Sequence, residues 1–478
     1  MSLILLFMND LRKEFSNYDW LGIGLTLALM AIGWLMIFAS EYHAESYTDL
    51  LDLDKNYGKQ LIWIIAAIVL AVGVQIIDSK FIHTMSPLAF AGVLFLLFAV
   101  LFTKPVNGAS SWFGIGSFRL QPSEFSKTAT NLALAALLTR PQFRMQEFKY
   151  QMQAVGLILS PVVLIALQPD AGSCLVYVAF FLVIFRAGFP PFIYILGLSM
   201  ASLGIASLMV DDVSGLILTL IFLANLVALR LWQKNERWLL AAVALGVLLY
   251  FIYQAAYFWP LLFLFSTSLL SLSALAGLKK RNQWQALGFN LGILALSIGY
   301  SATVNYAIYK LLRPHQQERI LVWLRPEKCD PLGALYNVEQ SKFAIGSGGL
   351  WGKGFLEGER TKLDYVPEQS TDFIFCTMGE EWGFMGSFLL ISLFTALLLR
   401  ILYLAERQRS DFAKYYAYGV AFILFMHLFV NIGMTVGLVP VIGIPLPFIS
   451  YGGSSLMSFG ILLAILFKLD FERKSIFR

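Results

Sequence analysis

The chain has 478 residues, 58% of them hydrophobic and only 14% charged, with a formal net charge of +5 and a mean hydropathy of +0.71. Soluble domains carry roughly a quarter charged residues, so this composition excludes an ordinary water-soluble globule. Apolar runs of bilayer-crossing length, about 20 residues, recur along nearly the whole chain. Lipid satisfies no open backbone, which leaves helices or a closed barrel. The alternation of a barrel strand is absent. The expected fold class is an all-α polytopic membrane protein.

In chain order, the apolar runs predict about 14 transmembrane helices. They fall near 19–40, 59–77, 84–103, 123–139, 152–168, 173–188, 191–210, 214–232, 237–257, 259–278, 286–309, 371–399, 412–437 and 448–468. The stretch 191–285 is Leu, Ala, Ile and Phe with basic turns and reads as helices without chemistry. A polar island, 311–370, interrupts the series. Long loops with no spanning character are usually functional or disordered, so this loop is the first place to look for chemistry.

Charge orients the chain. With the N-terminus in the cytoplasm, the inward-facing segments collect Arg140, Arg144, Lys149, Lys279, Lys280, Arg281, Arg407 and Arg409 among others. The outward-facing segments other than the island hold Lys55, Lys59, Lys104 and Arg119. That asymmetry follows the positive-inside rule. It predicts a multi-pass protein of the inner (cytoplasmic) membrane with both termini cytoplasmic and the 311–370 loop extracytoplasmic. The basic pI then reflects topology, and no nucleic-acid partner is expected. Cys174, Cys329 and Cys376, and the four scattered histidines, show no metal-ligand spacing.

Six stretches carry candidate chemistry. In FGIGSFRLQPSEFSK, Pro122 suits a helix start, and Glu124 and Lys127, three apart, share a helix face. An ion pair that only neutralises two awkward charges would look the same, but Arg119, Gln121, Glu124 and Lys127 together favour a cavity or pathway. QPDAGS at 168–173 is turn chemistry, divided between a capped helix start and a site edge. Asp330 sits in Cys-Asp-Pro-Leu-Gly, where the following proline disfavours helix. A lone Asp is usually a turn residue, but Arg319, Arg325, Lys328 and Lys353 are near in sequence and could neutralise a phosphate-bearing ligand. GSGGLWGKG at 346–354 fails the P-loop pattern and reads as a glycine-rich turn. In VPEQSTDFIFCTMGEEWGFMG, Thr371 and Asp372 look like a helix start, with Glu380 and Glu381 about two turns in. Those carboxylates need a wet cavity or a buried Lys or Arg. GLVPVIGIPLPFISYGGSS at 437–455 cannot be a regular helix, and broken backbone at membrane depth is tolerated only when protein-buried or cavity-lining.

In this order, R-x-Q-P-S-E-x-x-K, Q-P-D-x-G, D-P-x-G-x-x-Y, P-E-Q-x-T-D-F-I-F and P-L-P-F-I-S-Y-G-G-S-S resemble the SEDS family, the shape, elongation, division and sporulation proteins. The resemblance covers most of the chain outside 191–285. It leans toward the family's elongation member over its division member. It implies a single membrane domain over 1–478, built on a ten-span pattern with about four further helices inserted in 191–285. It also implies peptidoglycan glycosyltransferase activity on lipid II at the outer leaflet, for cell elongation and shape, with a class B penicillin-binding protein as crosslinking partner. The family's catalytic acid matches Asp330. Substrate-binding roles fall to Arg119, Gln121, Glu124, Lys127, Arg319, Lys353, Glu368, Asp372, Ser450 and Tyr451. No nucleotide cofactor is expected; a divalent cation is the one candidate, and its ligands are not assigned. Two other classes fit membrane charges and broken helices: a flippase or transporter of lipid-linked precursors, and a non-catalytic scaffold of the cell-wall complex. Asp330 discriminates, because a flippase has no need of one carboxylate in an outer loop.

Overall fold

The structure is a computed structural model that describes residues 18–42, 50–104, 110–115, 118–209, 296, 299–330, 333–363 and 365–473. Most of the helices expected in 191–285 therefore lie outside the described residues. The chain divides into two compact units, a larger one of Met1–Pro190 with Asp330–Arg478, and a smaller one of Pro191–Cys329.

In the larger unit the helices are α1 (Trp20–Glu41), α2 (Asn56–Ile76), α3 (Ser79–Ala99), α4 (Pro122–Leu138), α5 (Phe148–Leu167), α6 (Ala171–Val176) and α7 (Val178–Arg186). The smaller unit holds α8 (Pro191–Met209) and α9 (Pro314–Leu324). Its core joins Leu208, Ile308 and Leu324. The larger unit resumes with α10 (Ala334–Ser347), α11 (Glu359–Lys362), α12 (Ile374–Glu381), α13 (Gly383–Glu406), α14 (Asp411–Thr435) and α15 (Gly453–Phe471). A short hairpin, β1 (Phe113–Ile115) against β2 (Phe118–Leu120), precedes α4. Among the described residues, seven helices are long and apolar enough to cross a membrane: α1, α2, α3 with its trailing turn, α5, α13, α14 and α15.

The packing is that of a membrane bundle. The polar residues Ser123, Glu124, Ser126, Lys127, Thr130 and Asn131 of α4 are buried, while Ile65, Val69, Phe81, Leu88, Val163 and Phe388 on the outer helices are exposed. Water would penalise that distribution; lipid favours it, because apolar side chains lose nothing against acyl chains and polar ones seek the bundle interior. α4 is short and polar because α3, α5, α14 and α15 pack around it, so it need not face lipid.

Three expectations change. The span predicted at 371–399 is two helices, α12 and α13, parted at Gly383, whose φ of +64° suits only glycine. The span predicted at 173–188 is α6 and α7, divided at Tyr177. The 311–370 island is not plain loop, since it contains α9, α10 and α11.

Between α14 and α15 the backbone leaves the helix, as the prolines and glycines of this segment require. Phe448, buried, takes a φ of +66°, a strained conformation that persists only when its surroundings over-determine it. Gly33 on α1 supplies part of that surrounding. A Cβ there would lie 2.4 Å from the Phe448 carbonyl oxygen and 2.7 Å from Ile449 Cα, both backbone atoms that cannot swing aside. Gly33→Ala should therefore lose about 1–3 kcal/mol in detergent-solubilised thermal or denaturant unfolding. Gly24→Ala on the same helix is the control, because a Cβ there meets nothing within 4 Å. Equal stability of the two variants would remove this close approach as a constraint.

Candidate active site

Asp330, exposed and non-helical, opens the second segment of the larger unit. Its carbonyl accepts from the Gly333 amide at 3.1 Å, as the following proline predicted. α10 begins immediately after and is held hard. Ser341 donates its hydroxyl to the Thr435 carbonyl at 2.6 Å and lies 2.9 Å from Cys376 Sγ. Ala344 joins Val366, Phe373 and Cys376 in one apolar cluster. The turn that carries Asp330 is thus mounted on a helix fixed to α12 and α14. Arg319 is exposed on α9 of the smaller unit.

The glycine-rich turn 348–354 wraps the junction of α12 and α13. Lys353 and Gly354 amides donate to the Glu380 and Glu381 carbonyls, and the Phe384 and Met385 amides donate to Gly349 and Leu350. The Glu380 carboxylate accepts from Lys353 Nζ at 2.9 Å, from the Arg360 and Thr361 amides at 3.0 and 2.9 Å, and from the Thr361 hydroxyl at 2.8 Å. Burial opposes its charge, but these donors win and hold its pKa below the ordinary glutamate range. Burial also works against the Lys353 charge, and Glu380 and Glu359 outweigh it, so that ammonium is raised. Lys353, expected on the substrate, has its ammonium held by Glu380 and Glu359.

The FRLQPSEFSK stretch meets the broken segment. The Ser454 hydroxyl donates to the Arg119 carbonyl at 3.0 Å and accepts from the Gln121 amide at 3.2 Å, while the Arg119 side chain is exposed. Gln121 Nε2 donates to Asp170 at 3.0 Å, and Ser173 donates to the same carboxylate at 2.7 Å. The Asp170 side chain caps α6, so QPDAGS is both a helix cap and an edge of this polar cluster. Glu124 and Lys127 form the expected pair at 2.8 Å, both buried. Lys127 Nζ also lies 2.9 Å from His427 Nε2, and His427 Nδ1 lies 3.0 Å from the Pro445 carbonyl oxygen.

The PEQSTDF and SYGGS motifs come together. The Tyr451 amide donates to the Ser370 carbonyl at 2.9 Å. Ser450 closes the segment on itself, accepting from the Leu446 amide at 2.8 Å. Glu368, exposed and with a φ of +54°, gathers the Thr371, Asp372 and Phe373 amides on its carbonyl. The Asp372 carbonyl accepts from Asn431 Nδ2 at 2.9 Å, and the same amide donates to Ile444 at 2.8 Å. His427, Asn431 and Ser454 escaped the sequence reading. Two polar side chains one helical turn apart inside the apolar run 412–437 were the available signal. Among the described residues, no three His, Cys, Asp or Glu side chains gather as a metal-ligand group.

The family model for the FtsW/RodA/SpoVE cell cycle proteins matches residues 19–231 and 217–475. The chain belongs to this family. It is 34% identical over 461 residues to the peptidoglycan glycosyltransferase RodA of Treponema pallidum (strain Nichols), covering 94% of this chain and 98% of that one. It is 29% identical to the peptidoglycan glycosyltransferase MrdB of Escherichia coli (strain K12), covering 96% and 97%. The crystal structure of Thermus thermophilus RodA shares the fold with a TM-score of 0.54 at 23% identity, covering 96% and 98%. A chain from a peptidoglycan synthase complex that coordinates polymerization and crosslinking does so with a TM-score of 0.60 at 24% identity, over the same shares.

Glu381 differs from its neighbour Glu380. It is buried, and neither carboxyl oxygen closes a hydrogen bond, although the Leu356 and Gly358 amides approach it. Burial, with the Glu380 charge adding, pushes its pKa up to about 7. A free glutamate titrates near ~4.3, so between those values the folded state holds a proton that the unfolded state has lost. Stability contributed by the neutral group is complete below ~4.3 and is lost as pH rises to about 7. Glu381→Gln should then melt higher than the parent protein at about pH 8, with the gap narrowing toward about pH 5. A gap that does not change with pH would mean Glu381 does not titrate in this range.

Proposed function

We propose that this chain is a peptidoglycan glycosyltransferase that polymerises lipid II into glycan strands, with Asp330 as its general base. The observation that carries the activity is full-length similarity, at 34% identity, to a relative bearing that name. The observation that supports Asp330 is its placement: an exposed carboxylate on a turn whose following helix is pinned to the bundle.

The reaction needs little machinery. The hydroxyl of the acceptor sugar attacks the anomeric carbon of a lipid-linked donor. Asp330 takes the hydroxyl proton as the new carbon–oxygen bond forms, and the bond from the anomeric carbon to the pyrophosphate breaks. The electron pair leaves with undecaprenyl pyrophosphate. A positioned base contributes roughly 10²–10⁴-fold to such a step, and cations near the departing pyrophosphate stabilise its charge. Arg119, exposed, suits that task better than Lys353, whose ammonium is already engaged. No step requires a nucleotide. A divalent cation remains compatible with the chemistry of a pyrophosphate leaving group.

Asp330→Asn tests the assignment. Asn is as good a turn residue as Asp but has no basicity. The expected outcome is a stably inserted protein that synthesises little or no glycan strand from lipid II when its partner is present. Near-normal strand synthesis at normal protein levels would sink the catalytic role and favour the flippase reading.

The partner that fits is a class B penicillin-binding protein, since glycan strands need peptide crosslinks and none of the motifs read in this chain is a transpeptidase motif. The location that fits is the cytoplasmic membrane, with both termini inside and residues 311–370 outside, motivated by the basic-residue asymmetry. A cysteine replacing exposed Glu339 on α10 should react with a membrane-impermeant thiol reagent in intact cells lacking an outer-membrane barrier. Labelling only after lysis would invert the topology.

A further inference from the structure

His427 lies in the interior of α14, buried and 300 positions from Lys127 in sequence. Its two ring nitrogens have unambiguous partners. The Pro445 carbonyl can only accept, so Nδ1 at 3.0 Å must carry a hydrogen. Lys127, 2.8 Å from the Glu124 carboxylate, is an ammonium and can only donate, so Nε2 at 2.9 Å must be bare. The imidazole is therefore neutral and fixed as the Nδ1–H tautomer. Phe459 holds the ring from the side, edge-on at 4.9 Å, and also receives the Lys127 ammonium on its face at 5.3 Å.

The same face of α14 continues the pattern. Asn431, four residues on, donates to the Ile444 and Asp372 carbonyls. Thr435, four further, offers its carbonyl to Ser341 of α10. Residues at this spacing stack along one side of a helix. One stripe of α14 thus grips the broken segment at two consecutive carbonyls, the Asp372 backbone, and the helix that follows Asp330. The fit against Asp372 is close, since a Cβ at Gly443 would lie 3.0 Å from an Asp372 carboxylate oxygen.

We infer that His427 is a positioning residue for glycosyl transfer: its Nδ1–H holds the Pro445 carbonyl, and with Asn431 one turn on, which holds the Ile444 and Asp372 carbonyls, it sets the broken segment relative to the Asp372 backbone. This rests on the glycosyltransferase reading. His427 itself touches no reacting atom in this scheme. Its effect is geometric, and displacements of about 1 Å can cost on the order of 10²-fold in rate.

Two amides separate its two contacts. Asn places a donor where Nδ1 stands and keeps the Pro445 bond; Gln reaches the Nε2 position and keeps Lys127 but gives up Pro445. With partner present and rates expressed per folded enzyme, His427→Asn should retain kcat to within about threefold. His427→Gln should lose about tenfold or more in kcat with the KM for lipid II shifted less than about threefold. A purely structural role would lower yield and melting temperature while leaving kcat per folded enzyme unchanged. An unaffected kcat in the Gln variant, or an equal fall in both, would overturn the proposal. An inactive parent enzyme in the same assay would instead strike the glycosyltransferase reading. Should the Gln variant not fold, solid-state 15N spectra of histidine-labelled parent protein decide the matter. The signals lost in His427→Asn should show a protonated Nδ1 and a bare Nε2. A protonated Nε2 would refute the geometry on which the role depends.

Discussion

The interior of the larger unit depends on one constraint: the backbone between Thr435 and Gly453 abandons the helix inside a membrane bundle, and its polar groups must still be paired. Unsatisfied amides and carbonyls cost several kcal/mol each in such surroundings. The segment finds partners from distant elements. Asn431 serves Ile444, His427 serves Pro445, Ser450 serves the Leu446 amide, the Ser370 carbonyl accepts from Tyr451, and Gln60 accepts from Gly452. Apart from the Ser450 bond, which closes the segment on itself, these bonds join it to α14, to Ser370 and to α2. The motifs at 119–127, 368–372 and 445–455 are therefore one structure in space.

The same constraint accounts for the polarity of α4. A buried ion pair is weak evidence for stability, because desolvation offsets the Coulomb gain, yet breaking it from one side costs about 3–5 kcal/mol. Lys127 is satisfied on three sides by Glu124, His427 and the Phe459 ring. Once the pair is buried, neither charge can be dropped alone, and the geometry it imposes is correspondingly rigid. Glu124 adds a further tie, because its carbonyl accepts from Ser458 on α15 at 2.7 Å.

Local signals in the sequence carried the helices and the first pair. Pro122 starts α4, and Glu124 and Lys127 meet at the spacing that predicted them. Breaks set by tertiary contact were not legible. The run 371–399 is continuous in hydropathy, and only the turn 348–354 folding back on it explains why Gly383 adopts a left-handed conformation there. Glu380 fits the alternative of pairing with a Lys, but the partner is Lys353, expected on substrate. Charge near charge in sequence does not reveal which cation is already engaged. The partners of His427 were unreadable for the same reason. Asn431, one turn on, marks the same polar face of the apolar run, but the groups that face meets lie on α4 and in the broken segment.

Asp330 and Asp372 belong to motifs separated by α10, the glycine-rich turn and α11, yet α14 provides a common reference for both. Ser341 fixes α10 to Thr435, and Asn431 fixes Asp372 one turn earlier. A reacting carboxylate on an exposed turn is useful only if its support is stiff, since sites on loops lose rate through imprecision. Here the exposed turn is short, and Gly333 closes it by a backbone bond. The helix that follows is anchored to the longest of the buried helices. The arrangement separates two demands that conflict. Asp330 stays exposed at the surface, while Ser341 and Thr435, which hold the helix after it, are buried where water cannot compete for them.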